Sequence, residues 1–220
     1  MSDTFLVHKA GVFVVLLLSL TVHEWAHAIS ARMLGDDTAE RMGRLTLNPV
    51  SHIDPLGTLI APLFMNFGWA KPVPINPSRF SRKISMAWGN VIATSAGPVS
   101  NLVLALLCTL AIRFSLMFAP EVFLSEGALQ FLLGTGLQIN VLLAVFNLLP
   151  VPPLDGGRIV DALMPYKWRP AWETYAQYSP AVLLAIIILP HVPGFAILGA
   201  PLYWAIGTVQ TPLLMLAGVR

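Results

Sequence analysis

Apolar residues fall in long runs in this chain, and polar ones gather in the breaks between them. The first run covers residues 5–34. It stops at Gly35-Asp36-Asp37-Thr38, a glycine in the C-terminal capping position of a helix followed by a polar turn. A helix of that length crosses a bilayer. Runs at 99–119 and 128–149 read as two further spans. The first holds one charge, Arg113, and the second none. Residues 172–220 are apolar but carry prolines at 180, 190, 193, 201 and 212, and they read as two membrane segments near 174–190 and 195–218.

Between the first two runs the pattern changes. Leu45-Thr46-Leu47-Asn48 alternates apolar and polar, as a short strand does. Residues 53–70 are apolar but broken by Pro55, Gly57, Pro62, Asn66 and Gly68, which suits a re-entrant segment better than a full crossing. Residues 71–77 hold three prolines and should be extended. The expected fold is an all-α polytopic membrane protein in one domain over residues 1–220. It has about five to six membrane segments and a small re-entrant or β-hairpin element after the first helix.

Composition narrows the class. Of 220 residues, 56% are apolar and 11% charged, against about 25% charged in soluble globular domains. Mean hydropathy is +0.72. A soluble enzyme, a disordered chain and a coiled coil are excluded. The net charge of +2 shows no basic stripe, so no nucleic-acid partner is expected. The single cysteine, Cys108, lies in an apolar run and reads as a small buried hydrophobe. Ala26-His27-Ala28 has the form of a signal-peptidase site. The leading segment is not basic, however, and the helical run continues past it, so an uncleaved helix is expected. If that helix starts outside and 45–70 re-enters, all Lys and Arg except Lys9 and Arg113 fall inside.

The chemistry lies near the end of the first run. His23-Glu24-Trp25-Ala26-His27 is H-E-x-x-H. Four residues apart on a helix, His23 and His27 share a face and can bind one Zn²⁺, with Glu24 placed to act on zinc-activated water. Ionisable groups in a membrane helix are costly and mark function by default. Catalytic zinc takes three protein ligands and keeps an open position. His8 is too far along the helix to be the third ligand, His191 falls on the outer side, and His52 is possible. Asp155 is the better candidate. It follows an uncharged span, at the end where the first helix also places its histidines, in Asn147-Leu148-Leu149-Pro150-Val151-Pro152-Pro153-Leu154-Asp155-Gly156-Gly157-Arg158. Zn²⁺ would then be balanced by Asp155 and Glu24. The paired glycines allow close backbone approach.

These two motifs together resemble the site-2 proteases, intramembrane zinc metalloproteases whose pattern is H-E-x-x-H in one membrane helix and N-x-x-P-x-P-x-L-D-G in another. Ser95-Ala96-Gly97-Pro98-Val99-Ser100-Asn101 is similar to that family's small-residue segment between them. The resemblance covers about residues 20–160 and is to the short bacterial form, without PDZ-like or CBS domains. It implies one Zn²⁺ per chain held by His23, His27 and Asp155, Glu24 as general base, and Asn147 near the zinc. The Asn147 amide could donate to the oxyanion of a tetrahedral intermediate. It further implies transmembrane protein substrates, a bacterial inner membrane, and a site near the cytoplasmic face. A substrate helix must unwind before cleavage, and 44–48 with 71–75 could receive the extended chain by edge pairing. His52 and Asp54 read as turn residues. Two other classes fit the same residues: a non-catalytic zinc-binding membrane chaperone or adaptor, and a metal-ion transporter. An intact Glu24 and polar groups gathered near one face argue against both.

Overall fold

The computed structural model describes residues 3–60, 62, 68–125, 127–192 and 196–219. Helix α1 (Asp3–Met33) takes up the first apolar run. It ends as expected, at Gly35, which has φ +109° and donates its N–H to Arg32 O at 3.0 Å. The single turn α2 (Thr38–Arg41) follows. Asp36, fully buried, fastens this corner: it accepts from the Thr38 N–H at 3.0 Å and from the Asn76 N–H at 2.6 Å.

The segment after α2 is built from capped turns. Asn48 caps a 3₁₀ turn at Pro49–His52, and Asp54 accepts from the N–H groups of Leu56 and Gly57 at the start of a π-type turn, Pro55–Ile60. Both His52 and Asp54 therefore sit in turns, as expected. The loop then returns to its own base. Trp69 N–H donates to Gly57 O at 3.0 Å, and Lys71 N–H donates to His52 O at 2.9 Å. The tip of the expected re-entrant segment, at 61 and 63–67, lies outside the described residues.

No strand forms among the described residues, and 44–48 is irregular, with a bend at 45–46. The facing segment explains this, because Pro72 and Pro74 have no N–H to give a ladder. The two segments still lie side by side. The Arg44 guanidinium donates to Lys71 O at 2.5 Å, and Leu45 and Val73 pack with Ala28 and Ala39.

Helix α3 (Met86–Phe118) is longer than its apolar run predicts. Ser85 caps it, accepting from the Trp88 N–H. Its first half is small and polar, with Gly89, Ala93, Thr94 and Gly97 buried against protein rather than lipid. Hydropathy therefore sees only the second half. The short α4 (Pro120–Ser125) leads to α5 (Gly127–Asn147), which matches its predicted span. Helix α6 (Asp155–Leu163) begins at the aspartate of the second motif. Helices α7 (Arg169–Ile188) and α8 (Ala200–Ala217) occupy the two segments expected near the C-terminus, although 193–195 lie outside the described residues.

Among the described residues three helices, α1, α3 and α5, are long and apolar enough to cross a membrane, fewer than the five to six segments expected. They form the central bundle, with α6 against α3 and α8 against both α3 and α5. Ala105, Ile112, Phe123, Leu137, Val141 and Ala217 make its apolar core. Leu18, Leu107 and Phe114 face outward, more than half exposed, as lipid-facing side chains of an integral membrane protein do.

Candidate metal centre

The last turns of α1 run inside the bundle, so His23 and His27 are buried. Helix α6 brings Asp155 to them from far along the chain. His23 Nε2 and His27 Nε2 are 3.1 Å apart, and Asp155 Oδ2 lies 3.1 Å from the first and 3.2 Å from the second. The three atoms form a nearly equilateral triangle, and they are a potential metal-binding group.

Hydrogen bonds on the far sides of the rings decide what those atoms carry. His27 Nδ1 lies 2.9 Å from the Ala93 carbonyl oxygen, which can only accept, so Nδ1 holds the proton and Nε2 a bare lone pair. For His23 the argument runs through two amides. Asn140 Nδ2 donates to Gly136 O at 2.8 Å, which fixes which end of that amide is nitrogen. Its oxygen then accepts from Asn101 Nδ2, also at 2.8 Å. Asn101 Oδ1 is left to accept from His23 Nδ1 at 2.6 Å. Both imidazoles are thus set as Nδ1–H tautomers, the form in which the outer nitrogen binds metal. Asp155 Oδ2 has no hydrogen-bond donor. Three lone-pair atoms without a proton between them repel unless a cation joins them. Tetrahedral zinc with ligands at about 2.0–2.1 Å sets neighbouring ligand atoms about 3.3–3.4 Å apart. The residues present fit zinc.

Small residues make this approach possible. A Cβ on Gly97 would stand 2.7 Å from His23 Cε1 and closer still to the His27 ring. A Cβ on Gly157 would stand 2.5 Å from Pro152 N, and one on Gly156 would strike the carbonyl oxygens of Leu148 and Leu149. The paired glycines let α6 start directly beneath the proline turn, as their sequence position suggested.

Glu24 is also buried, and its Oε2 accepts from the Val73 N–H at 2.8 Å. Pro72 and Pro74 flank that residue, so Val73 supplies the only N–H within the Pro-Val-Pro stretch. Asn147 is half-buried and donates to Leu143 O at 3.0 Å, one turn back on its own helix. His8 stacks on Phe131 at the other end of α1, and His52 Nε2 bonds Thr46 O. Sequence reasoning placed Asn101 only in the small-residue segment 95–101 and missed Asn140 and Val73. An asparagine in an uncharged span is itself a signal for Asn140. No local pattern points to Val73.

A potential metal-binding triad set among membrane helices is the arrangement an integral-membrane metalloenzyme would use. The model of Peptidase family M50 matches residues 116–190. The chain is 42% identical over 179 residues to "Putative zinc metalloprotease YwhC" of Bacillus subtilis, covering 80% of each protein. It is 34% identical over 185 residues to "Putative zinc metalloprotease Rip2" of Mycolicibacterium smegmatis, covering 82% of this chain and 69% of that one. No solved structure matches. The chain belongs to peptidase family M50, the site-2 protease family of zinc metalloproteases.

Proposed function

We propose that this protein is an intramembrane endopeptidase that hydrolyses peptide bonds in or near transmembrane segments of other membrane proteins. His23, His27 and Asp155 hold the zinc ion, Glu24 is the general base, and Asn147 assists. The observation that carries the reading is the buried triangle of three lone-pair atoms from two elements remote in sequence.

The residues divide the work as follows. When bound, zinc supplies a Lewis acid that lowers the pKa of water and polarises a peptide carbonyl. Glu24 takes a proton from the attacking water and returns it to the leaving amine. Val73 holds Oε2, which leaves Oε1 to carry that proton. The Asn147 amide releases Leu143 O and donates to the oxyanion as it forms. Asn101 and the Ala93 carbonyl keep the imidazoles in register throughout.

The described ends of the segment after α2 lie together, with 52 paired to 71 and 57 to 69, which supports a re-entrant loop that begins and ends on one side of the bilayer. Arg32, Arg41, Arg44, Arg79, Arg82 and Lys83 then share one side, the cytoplasmic side of a bacterial inner membrane. The site lies near that face, where water reaches it.

The test is zinc per chain in detergent-purified protein, measured beside Asp155→Ala and Glu24→Gln. The parent should hold about one zinc. Asp155→Ala should lose it, while Glu24→Gln should keep it and lose cleavage of membrane substrates. A never-chelated parent without zinc would undo the reading.

A further inference from the structure

Beside the metal centre runs a groove that the zinc chemistry does not use. One part is a cavity of about 370 Å³ between the proline-rich 72–77 segment and Asn90, Thr94 and Arg158. A second, of about 260 Å³, continues past the same Asn90 and Arg158 to Trp172. Three walls of the groove touch the site. Val73 holds Glu24, Thr94 follows the Ala93 whose carbonyl holds His27, and Arg158 lies one turn beyond Asp155 on the same face of α6. A chain lying in the groove passes the scissile position within a few residues of Arg158.

The polar lining is one-sided. No carboxylate lines the larger cavity. Thr94 Oγ1 lies 3.4 Å from Asn90 Oδ1, which leaves the Asn90 amide nitrogen free to donate. Arg158 is half-buried, and among the described residues no acid lies within ion-pair distance of it. Of the two acids within a turn of it on its own helix, Asp155 belongs to the buried triangle with His23 and His27, and Asp161 is taken by Trp172 Nε1 at 3.0 Å, with Arg169 Nη1 3.8 Å away. A half-buried guanidinium without a carboxylate partner gains most from one, which it can grip with two parallel hydrogen bonds.

We propose that Arg158, with the Asn90 amide, reads an acidic side chain of the substrate a few residues from the cleaved bond, and so makes this protease selective for transmembrane segments with an Asp or Glu at that register. The proposal rests on the function proposed above. Arg158 touches the substrate rather than the reacting atoms, so it determines specificity.

The experiment uses full-length, zinc-loaded protein in phosphatidylcholine vesicles. The probes are fluorogenic transmembrane peptides that carry Glu, or Gln in its place, at successive positions. Cleavage by the parent gives the Glu-to-Gln ratio of kcat/KM. Binding to Glu24→Gln protein gives the same ratio without chemistry. One register should favour Glu about tenfold in both readouts. The ratio should fall to about one in Arg158→Gln and be partly kept in Arg158→Lys, with zinc per chain unchanged in both. Arg158→Glu should turn the preference toward Lys peptides. Cleavage with no preference at any register, or a preference that survives Arg158→Gln, overturns the proposal and leaves the protease reading standing. A binding preference without cleavage does the reverse. Neither cleavage nor preference overturns both. Loss of the preference when phosphatidylglycerol is added assigns Arg158 to lipid phosphate and overturns the proposal.

Discussion

Helices α3 and α5 meet twice, in two chemically different ways. Towards the metal centre, Asn101 and Asn140 join across the interface, tied to Ser19 and His23 of α1. Alongside it, Ala105 and Ile112 pack with Leu137 and Val141 in an apolar cluster, where the buried Thr109 turns its hydroxyl back to Ala105 O on its own helix. Within a bilayer, apolar packing between helices gains little over packing against lipid, and close fit has to supply the attraction. The polar contact has a different logic. Each amide group finds its partner, and the last partner is a ring nitrogen of a metal ligand. The apolar half can lose a methyl group and still be a bundle. The polar half works as a chain of defined donors and acceptors, and one changed link alters the proton on His23.

Substitutions at the two contacts should separate these roles. The largest effect is expected from Gly97→Val, which pushes a side chain into both imidazoles. Zinc per chain should fall well below one, and cleavage should drop by about a thousandfold or more, in line with loss of a ligand set. Metal analysis and turnover on one preparation would check it. Next comes Asn101→Leu, which removes the partner of His23 Nδ1 and should weaken zinc binding about 10- to 100-fold. Asn140→Leu acts one link further out and should cost less. Competition with a zinc chelator would read both, and equal losses would mean that the two asparagines do not act in series.

Leu137→Ala sharpens the contrast from the other side. It should destabilise the bundle by about 2–3 kcal/mol through the space it leaves, with chelator competition unchanged. Unfolding in mild detergent would show it. The smallest effect belongs to the surface corner after α1. There Arg41 Nε lies 2.7 Å from Asp37, and Arg79 is also paired with it. Desolvation pushes the Asp37 carboxyl up, but the two guanidinium groups outweigh it and hold the carboxyl below the usual range. Its contribution is therefore present above the ordinary carboxylate pKa and fades as pH falls through the lowered value. Asp37→Asn should flatten that part of the acid-stability profile and leave zinc untouched.

The clustering of His23, His27 and Asp155 was more legible than the fold around it. The spacing of His23 and His27 fixes a shared face, and Asp155 could be found because its motif opens where a span closes. Helix α1 stops where Gly35 predicts, because a residue at φ +109° suits only glycine. Helix α3 starts earlier than its apolar run, because Gly89, Ala93 and Gly97 are buried by Phe80 and by α1 and not by lipid, and burial by protein needs no hydropathy. The strand expected at 44–48 is not formed, because pairing depends on its neighbour's N–H groups and two of those residues are prolines. The Asn140–Asn101–His23 chain could not be read along one sequence, because it depends on the rotational phase of three helices.

The hydrogen bond from Val73 to Glu24 has a mechanical side. Lys71 is anchored to His52 at the root of the membrane loop, and two residues later the same stretch of backbone holds the carboxylate of the base. With proline on either side of Val73, that stretch has little slack. In the proposed re-entrant arrangement the loop and the Glu24 side chain are joined like a handle and its latch. A bilayer thick enough to lift the loop should turn that side chain, while Asn101 and the Ala93 carbonyl still hold the rings of His23 and His27 on the same helix.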